Sequence, residues 1–187
     1  MKKKVSIIIG AFFENYDRFK AAMIREYQKS RLESCGSNVY ISKNCVFTYD
    51  NVALGNNVYI GRNCIFQSSY GKIKIGNHVM FGPGVNIHGG NHKIKEIGCL
   101  LDAVSAKREG DDGVVEIEDD CWIGSNAIIL SNVKIGRGSV IGGGSIVTKD
   151  IPPYSIYTGA PGRKIRSRFS DEELKVHLSA MKESWDK

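Results

Sequence analysis

Between Val115 and Val147 the aliphatic residues Ile117, Ile123, Ile129, Ile135, Ile141 and Val147 recur at every sixth position without a gap. Neither an amphipathic helix nor a simple alternating strand has that period. The register extends upstream through Ile75, Phe81 and Ile87, then after a three-residue offset through Leu54, Ile60 and Phe66, and after one more small offset through Ile41 and Phe47. Four positions after these large residues come small or β-branched ones: Cys45, Val58, Cys64, Val79, Val85, Cys121, Ala127, Val133, Ser139 and Ser145. Glycine often follows the large residue directly, as at Gly55, Gly61, Gly76, Gly82, Gly124, Gly136 and Gly142. A short strand with one inward side chain, then a bend through about a third of a circuit, explains the pattern. Large residues fill a prism, small ones sit at its corners, and glycine permits bends where a side chain would clash or need positive φ. Three hexads close one coil, coils stack about 4.8 Å apart, and the fourteen hexads predict between four and five coils.

The flanks carry a helical period. Residues 14–34 bring Tyr16, Phe19, Met23, Tyr27 and Leu32 near one face, which predicts an amphipathic helix packed on the first coil, shielding its open strand edge. Ser170-Asp171-Glu172-Glu173 is a capping box, and Leu174, Leu178, Met181 and Trp185 form an apolar stripe behind it. The chain thus divides into an N-terminal helical segment (1–37), a solenoid (38–168) and a C-terminal helix (169–187). Inside the solenoid, residues 93–113 lack the repeat and include the polar run Lys107-Arg108-Glu109-Gly110-Asp111-Asp112-Gly113. A long excursion from a compact coil predicts a functional loop beside the active site.

Composition sharpens this picture. Among 187 residues there are 21 glycines and only 4 prolines, too many glycines for a helical bundle and consistent with the repeat. The longest apolar run, Val5 to Phe13, is half the length of a membrane span. Lys2-Lys3-Lys4 before it imitates a signal peptide, but a charged helical pattern follows in place of a cleavage site, so a structural segment is expected. Five cysteines without a CxxC pair argue against a disulfide framework or thiolate metal site, and a cytoplasmic location follows. The net charge of +6 is spread among acidic residues, which does not favour nucleic acid as a partner.

Three hexads, Ile117-Glu118-Asp119-Asp120-Cys121-Trp122, Ile123-Gly124-Ser125-Asn126-Ala127-Ile128 and Ile135-Gly136-Arg137-Gly138-Ser139-Val140, resemble those of the hexapeptide-repeat acyltransferases. The segments Ile141 to Tyr154 and Gly159 to Ile165 are similar to the end of the galactoside, maltose and polysaccharide O-acetyltransferases in particular. The resemblance covers residues 39–166 and implies an all-β solenoid, a left-handed parallel β-helix, that transfers an acetyl group from acetyl-coenzyme A to a hydroxyl. It also implies a homotrimer with a cleft shared between subunits.

An alcohol is a poor nucleophile at neutral pH, so a positioned base must take its proton during attack on the thioester. Histidine suits this duty, and the candidates are His78, His88, His92 and His177. The resemblance places the general base at His92, five positions after the inward Ile87 and at the mouth of the excursion. His88 directly follows an inward residue and should point into the same cleft, with Asn91 between the two histidines as a further acceptor contact. Glu96, Asp102 or a backbone carbonyl would orient the imidazole. His78 and His177 are expected at the surface. Two positions depart from the galactoside-type acceptor pair, with Gln67 and Tyr70 in a polar Gln67-Ser68-Ser69-Tyr70 turn, so a different hydroxyl compound is implied. On the donor side the resemblance carries over Trp122 beside the pantetheine arm, with Ser125 and Gly143 as backbone contacts. Thr148, Lys149, Arg163 and Arg166 would surround the nucleotide end, where a basic cluster suits polyanionic phosphates. Gly162 replaces the family's usual alanine or cysteine before Arg163.

A zinc-dependent anhydrase of the same fold would need three histidines, and the spacing of His78, His88 and His92 does not resemble that family. Covalent catalysis would need a reactive thiol, while Cys45, Cys64 and Cys121 read as packing and Cys35 and Cys99 stay unassigned. A non-catalytic scaffold is the remaining alternative. The expected activity is O-acetylation of a sugar hydroxyl in a surface polysaccharide or its precursor, or else of a natural-product or antibiotic hydroxyl, without a metal.

Overall fold

The computed structural model describes residues 2–104 and 112–185. A long helix α1 (Lys2–Arg31) leads into the first coil, formed by β1 (Ser34–Cys35), β2 (Tyr40–Ile41) and β3 (Val46–Phe47). The second coil is β4 (Val52–Leu54), β5 (Tyr59–Ile60) and β6 (Ile65–Gln67), and the third is β7 (Ile73–Ile75), β8 (Met80–Phe81) and β9 (Asn86–His88). After the excursion come β10 (Val115–Ile117), β11 (Trp122–Ile123) and β12 (Ile128–Ile129), then β13 (Val133–Ile135), β14 (Val140–Ile141) and β15 (Ile146–Val147). A sixth coil begins at Ile151, bridged to Ile135, and continues as β16 (Ser155–Gly159), which turns into the antiparallel β17 (Gly162–Ser167) before α2 (Asp171–Trp185).

Apart from β17 every strand pairs in parallel, in three sheets that form the three faces of a prism. This is the expected left-handed parallel β-helix. There are five full coils and the start of a sixth, more than the four to five predicted. The uncounted first-face strand, β1, has only Cys35 in register with Leu54, so no large residue announced it. The inward residues Ile60, Phe66, Phe81, Ile87, Ile117, Ile123, Ile129, Ile135 and Ile141 are buried and form one continuous core.

The corners follow a rule that spacing alone had blurred. Within a coil, the steps from first to second and from second to third face are always six residues, as in Leu54, Ile60 and Phe66 or Ile117, Ile123 and Ile129. From the third face to the next coil the step varies: seven from Phe47 to Leu54, nine from Phe66 to Ile75, thirty from Ile87 to Ile117, six from Ile129 to Ile135 and four from Val147 to Ile151. All register offsets, and the whole excursion, therefore leave from one edge of the prism.

At the other two edges, the residue three positions before each inward side chain has positive φ, and it is more often asparagine than glycine: Asn38, Asn44, Asn57, Asn63 and Asn126, against Gly84, Gly138 and Gly144. Asparagine tolerates this region at low cost and can bond locally. Here it bonds up the stack, with Asn38 Nδ2 donating to Asn57 Oδ1 at 2.8 Å and Asn44 Nδ2 to Asn63 Oδ1 at 3.2 Å. The glycines after inward residues serve close approach and have no positive φ. A Cβ on Gly124 would sit 2.5 Å from the backbone nitrogen of Gly143 in the next coil.

Both terminal helices differ from expectation in orientation. Helix α1 starts at Lys2, well before residue 14, and the predicted contact face (Tyr16, Phe19, Met23, Tyr27) is exposed. The side that meets the coil carries Ala21, Ala22, Arg25, Gln28 and, just past the helix, Leu32. Its reason is polar: the first coil has no strand below it, and Gln28 Nε2 and Arg25 Nε donate to the carbonyls of Cys45 and Ile41, each at 2.9 Å. At the other end the capping box forms, with Ser170 N donating to Glu173 Oε2 and Glu173 N to Ser170 Oγ. Leu178 is exposed, while His177, expected at the surface, packs its ring 4.8 Å from Phe169 and 5.8 Å from Tyr154. Residues 105–111, with Lys107 to Asp111, and the side chain of Trp185 lie outside the described residues.

Two glycine substitutions separate these environments. Nothing lies within 4 Å of a Cβ placed on Gly10, so Gly10→Ala should stabilise α1 by about 1 kcal/mol through helix propensity. Gly124→Ala must push coils apart and should cost several kcal/mol, on the scale of about 1–3 kcal/mol or more for overpacking. Helix content by circular dichroism for the first and denaturant unfolding for the second are the measurements.

Candidate active site

The edge that absorbs the insertions is also where polar side chains gather. In the position that glycine holds at the other corners, the third face is followed by Thr48, Gln67, His88, Leu130 and Thr148, one per coil and stacked in register. Thr48, Gln67 and His88 open onto a cavity of about 410 Å³, together with Ser68, Ser69, Gly90, Asn91, His92 and Asp112. The histidines reach it differently. His88 belongs to β9 and is half-buried, whereas His92 stands on the exposed start of the excursion.

Hydrogen bonds fix the loops around this space. Asn51 Nδ2 donates to the carbonyls of Ser68 and Ser69 at 2.9 and 3.0 Å, Ser68 N donates to Thr48 Oγ1, and Gly89 N donates to Gln67 O at 2.7 Å. Asn91 Nδ2 donates to Ser131 Oγ at 3.3 Å, tying the histidine loop to the coil above. Ser68 Oγ is buried and, among the described residues, is the side-chain oxygen left without a hydrogen-bond partner. An unsatisfied buried hydroxyl costs about 1–3 kcal/mol, and this one is packed against Gly89.

Asp112 was not singled out from the sequence, where it was one of several polar residues in the excursion. It is 8% exposed, its Oδ2 accepts from Tyr70 N at 3.3 Å, and it lies against Gly90, where a Cβ would overlap the carboxylate. The excursion thus returns to the prism by placing an acid under the histidine loop. Glu96 and Asp102, the carboxylates considered as orienting partners, are exposed and do not line the cavity. Gln67, His88, Asn91 and His92 share the space; Tyr70 stands beside it with an exposed ring and contributes its backbone amide to Asp112.

The residues expected on the donor side are distributed over two edges. Trp122 is 52% exposed on the outer side of β11. Ser125 and Gly143 occupy consecutive corners after the second face, joined by the bond from Gly144 N to Ser125 O. Arg163, paired with Thr158 across β16 and β17, continues that edge, because Thr158 Oγ1 lies against the corner at Gly142; Arg166 pairs with Ile156. Thr148 and Lys149 follow the third face, two coils above His88. All seven are exposed. No third histidine approaches His88 and His92, since His78 is at the corner before β8, and no group of three or more acidic, histidine or cysteine residues among those described could hold a metal ion. Cys45, Cys64 and Cys121 are buried in the core, where desolvation pushes the Cys121 thiol up to about 12.

The family described as bacterial transferase hexapeptide (six repeats) matches residues 115–149. A chloramphenicol acetyltransferase of Klebsiella aerogenes is 47% identical over 73 residues, which cover 39% of this chain and 35% of that protein. The alignment thus spans about a third of such relatives. A probable macrolide acetyltransferase of Lysinibacillus sphaericus is 35% identical over 126 residues, 61% of this chain and 70% of that one. Among solved structures, a maltose O-acetyltransferase of Clostridium difficile superposes with a TM-score of 0.64 at 32% identity, covering 76% of this chain and 73% of the other. A hexapeptide-repeat acetyltransferase of Vibrio cholerae, solved with acetyl-coenzyme A, gives a TM-score of 0.65 at 26% identity, covering 76% and 75%.

The packing of Gly90 on Asp112 yields a local prediction. Gly90→Ala must displace the carboxylate and its bond to Tyr70 N, with an expected loss of about 1–3 kcal/mol. Asn91→Ala removes one exposed bond and should change stability by less than about 0.5 kcal/mol. Denaturant midpoints at constant slope decide between them.

Proposed function

The chain belongs to the hexapeptide-repeat transferases, and from that premise we propose that it is an acetyl-coenzyme A-dependent O-acetyltransferase acting on a sugar hydroxyl, in a surface polysaccharide or its precursor. The observation that carries the acceptor class is the cavity lining: hydroxyls, amides, two imidazoles and one carboxylate, on a surface that is mostly polar. Such a surface can satisfy a polyhydroxylated ring, whereas an apolar ring would leave those groups unpaired.

In this reading His92 accepts the proton of the acceptor hydroxyl as its oxygen attacks the thioester carbon. The oxyanion collapses, the carbon–sulfur bond breaks, and the imidazolium returns the proton to the departing thiolate. His88, Asn91, Gln67 and Ser68 hold the sugar, Tyr70 flanks it, and Asp112 positions the histidine loop from beneath Gly90. The arm of coenzyme A runs past Trp122, Ser125 and Gly143, towards Arg163, Arg166, Thr148 and Lys149 at the phosphates.

Trp122 and His92 belong to different edges of one prism, and their cooperation needs a second subunit. Outward residues of the second face are apolar up the stack (Tyr40, Tyr59, Met80, Trp122, Val140, Ile156), and on the third Val46, Ile65, Ile128 and Ile146 are apolar with Asn86 between them. The first face carries Lys74, Glu116 and Lys134, with Lys134 paired to Glu116 and Glu118 at 3.1 and 2.7 Å. Two apolar faces and one charged face suit a closed ring in which unlike faces meet, and a homotrimer satisfies that geometry. Use of acetyl-coenzyme A fits a cytoplasmic location.

A second reading, acetylation of an antibiotic hydroxyl, is favoured by the identity to the chloramphenicol and macrolide relatives. A thiol-release screen over sugars, oligosaccharides and antibiotics separates the two. With the matched acceptor, His92→Ala should lower kcat by about 10²–10⁴-fold and leave coenzyme A binding by calorimetry nearly unchanged; undiminished turnover refutes the assignment. Light scattering should give three times the chain mass, and a monomer with full activity would exclude the shared cleft.

A further inference from the structure

Helix α1 is thirty residues long, and only one side of it, from about Asp17 onward, lies against the body of the molecule. The remainder projects with an exposed apolar stripe, Val5, Ile9, Phe12, Tyr16, Phe19 and Met23, spaced by four, three, four, three and four residues. Large exposed apolar patches on soluble domains mark surfaces that meet something. None of this is used by the cavity or by the donor edge. We propose that the first two thirds of α1 is a docking element for an anionic phospholipid surface, lying in the interface without crossing the bilayer.

Three observations favour a bilayer over a second copy of the helix. Apolar residues at the lysine end extend beyond the stripe, with Ile7, Ile8 and Phe13 also 62%, 69% and 59% exposed. A helix pair would bury only the seam and leave these residues in water, whereas a headgroup–acyl boundary takes up a broad arc. Charge is complementary: Lys2, Lys3 and Lys4 precede the apolar run, and no acidic residue comes before Glu14. Each such lysine near an anionic surface adds attraction. Positions flanking the seam, Ser6, Ile8, Phe13, Asn15, Lys20 and Ala22, offer no opposite charges of the kind that set register and partner in a coiled coil. No helix among the described residues is long and apolar enough to cross a membrane. The aromatic residues Phe12, Phe13, Tyr16 and Phe19 are of the type that settles at the interface.

The proposal is independent of the acetyl-transfer reading, and its test is binding. The full chain is sedimented with vesicles of phosphatidylglycerol and, separately, of phosphatidylcholine. Binding to phosphatidylglycerol is expected, with weak or no binding to phosphatidylcholine and a fall in high salt. The pair Ile8→Glu and Phe12→Glu should reduce the bound fraction at least about tenfold, and Lys3→Gln with Lys4→Gln by about five-fold for each charge removed. Circular dichroism and thermal unfolding of the prism serve as folding controls, because these side chains touch nothing in the body. Equal binding to both vesicles, or binding unchanged by both pairs of substitutions, overturns the proposal. So does absence of binding, and if Ile8→Glu with Phe12→Glu then lowers the molecular mass by light scattering, the stripe joins copies of the chain.

Discussion

Stacking governs this molecule. Each coil gives its backbone donors and acceptors to the coils above and below, so adjacent coils must remain in register at about 4.8 Å. At most positions of two of the three corners, as at Gly55, Gly61, Gly124 and Gly142, that requirement leaves no space for a Cβ after the inward residue, and the next bend enters the left-handed region. The asparagines at 38, 44, 57 and 63 meet the conformational demand and then use their amides to bond the neighbouring coil. The corner is thus held by the same direction of hydrogen bonding as the faces.

A stack of this kind has two ends with unmet backbone groups, and the chain closes them by different chemistry. At the lower end a helix contributes side-chain donors, Gln28 and Arg25, to carbonyls that would otherwise pair with a strand. At the upper end β16 finds an antiparallel partner in β17, and Arg168 then spans back to the Asp120 carboxylate at 2.8 Å. The upper closure leaves Arg163 and Arg166 on an exposed strand beside the proposed donor edge.

The prism was legible in the sequence because burial is total and the period strict: every large hexad residue from Ile41 to Val147 is in the core. Cys35 escaped notice because the first coil rests on a helix and tolerates a small residue there. The contact face of α1 was misread for a related reason. An apolar stripe signals burial only when the burying surface is apolar, and the end of a β-helix presents carbonyls. In the site, His88, Asn91, His92 and Gln67 were accessible through the repeat and the resemblance, since each is a fixed distance from an inward residue. Asp112 was not, because it reaches the cavity by the return of an aperiodic segment, and nothing in spacing tells which of its polar residues will be buried beneath Gly90.

The uneven steps at the third corner sort evolutionary change by kind. Steps one, three and twenty-four residues longer than the hexad, and one two residues shorter, occur there, and the inward side chains stay in register across each of them. The corners carrying Gly124 and Gly143 can change residue but not length, as an added residue would put every later coil out of phase. The proposed acceptor pocket can therefore diversify by gain and loss of chain, while the proposed donor edge is restricted to point substitution. One ancestral grip on an acyl carrier can in this way persist beneath loops of many sizes.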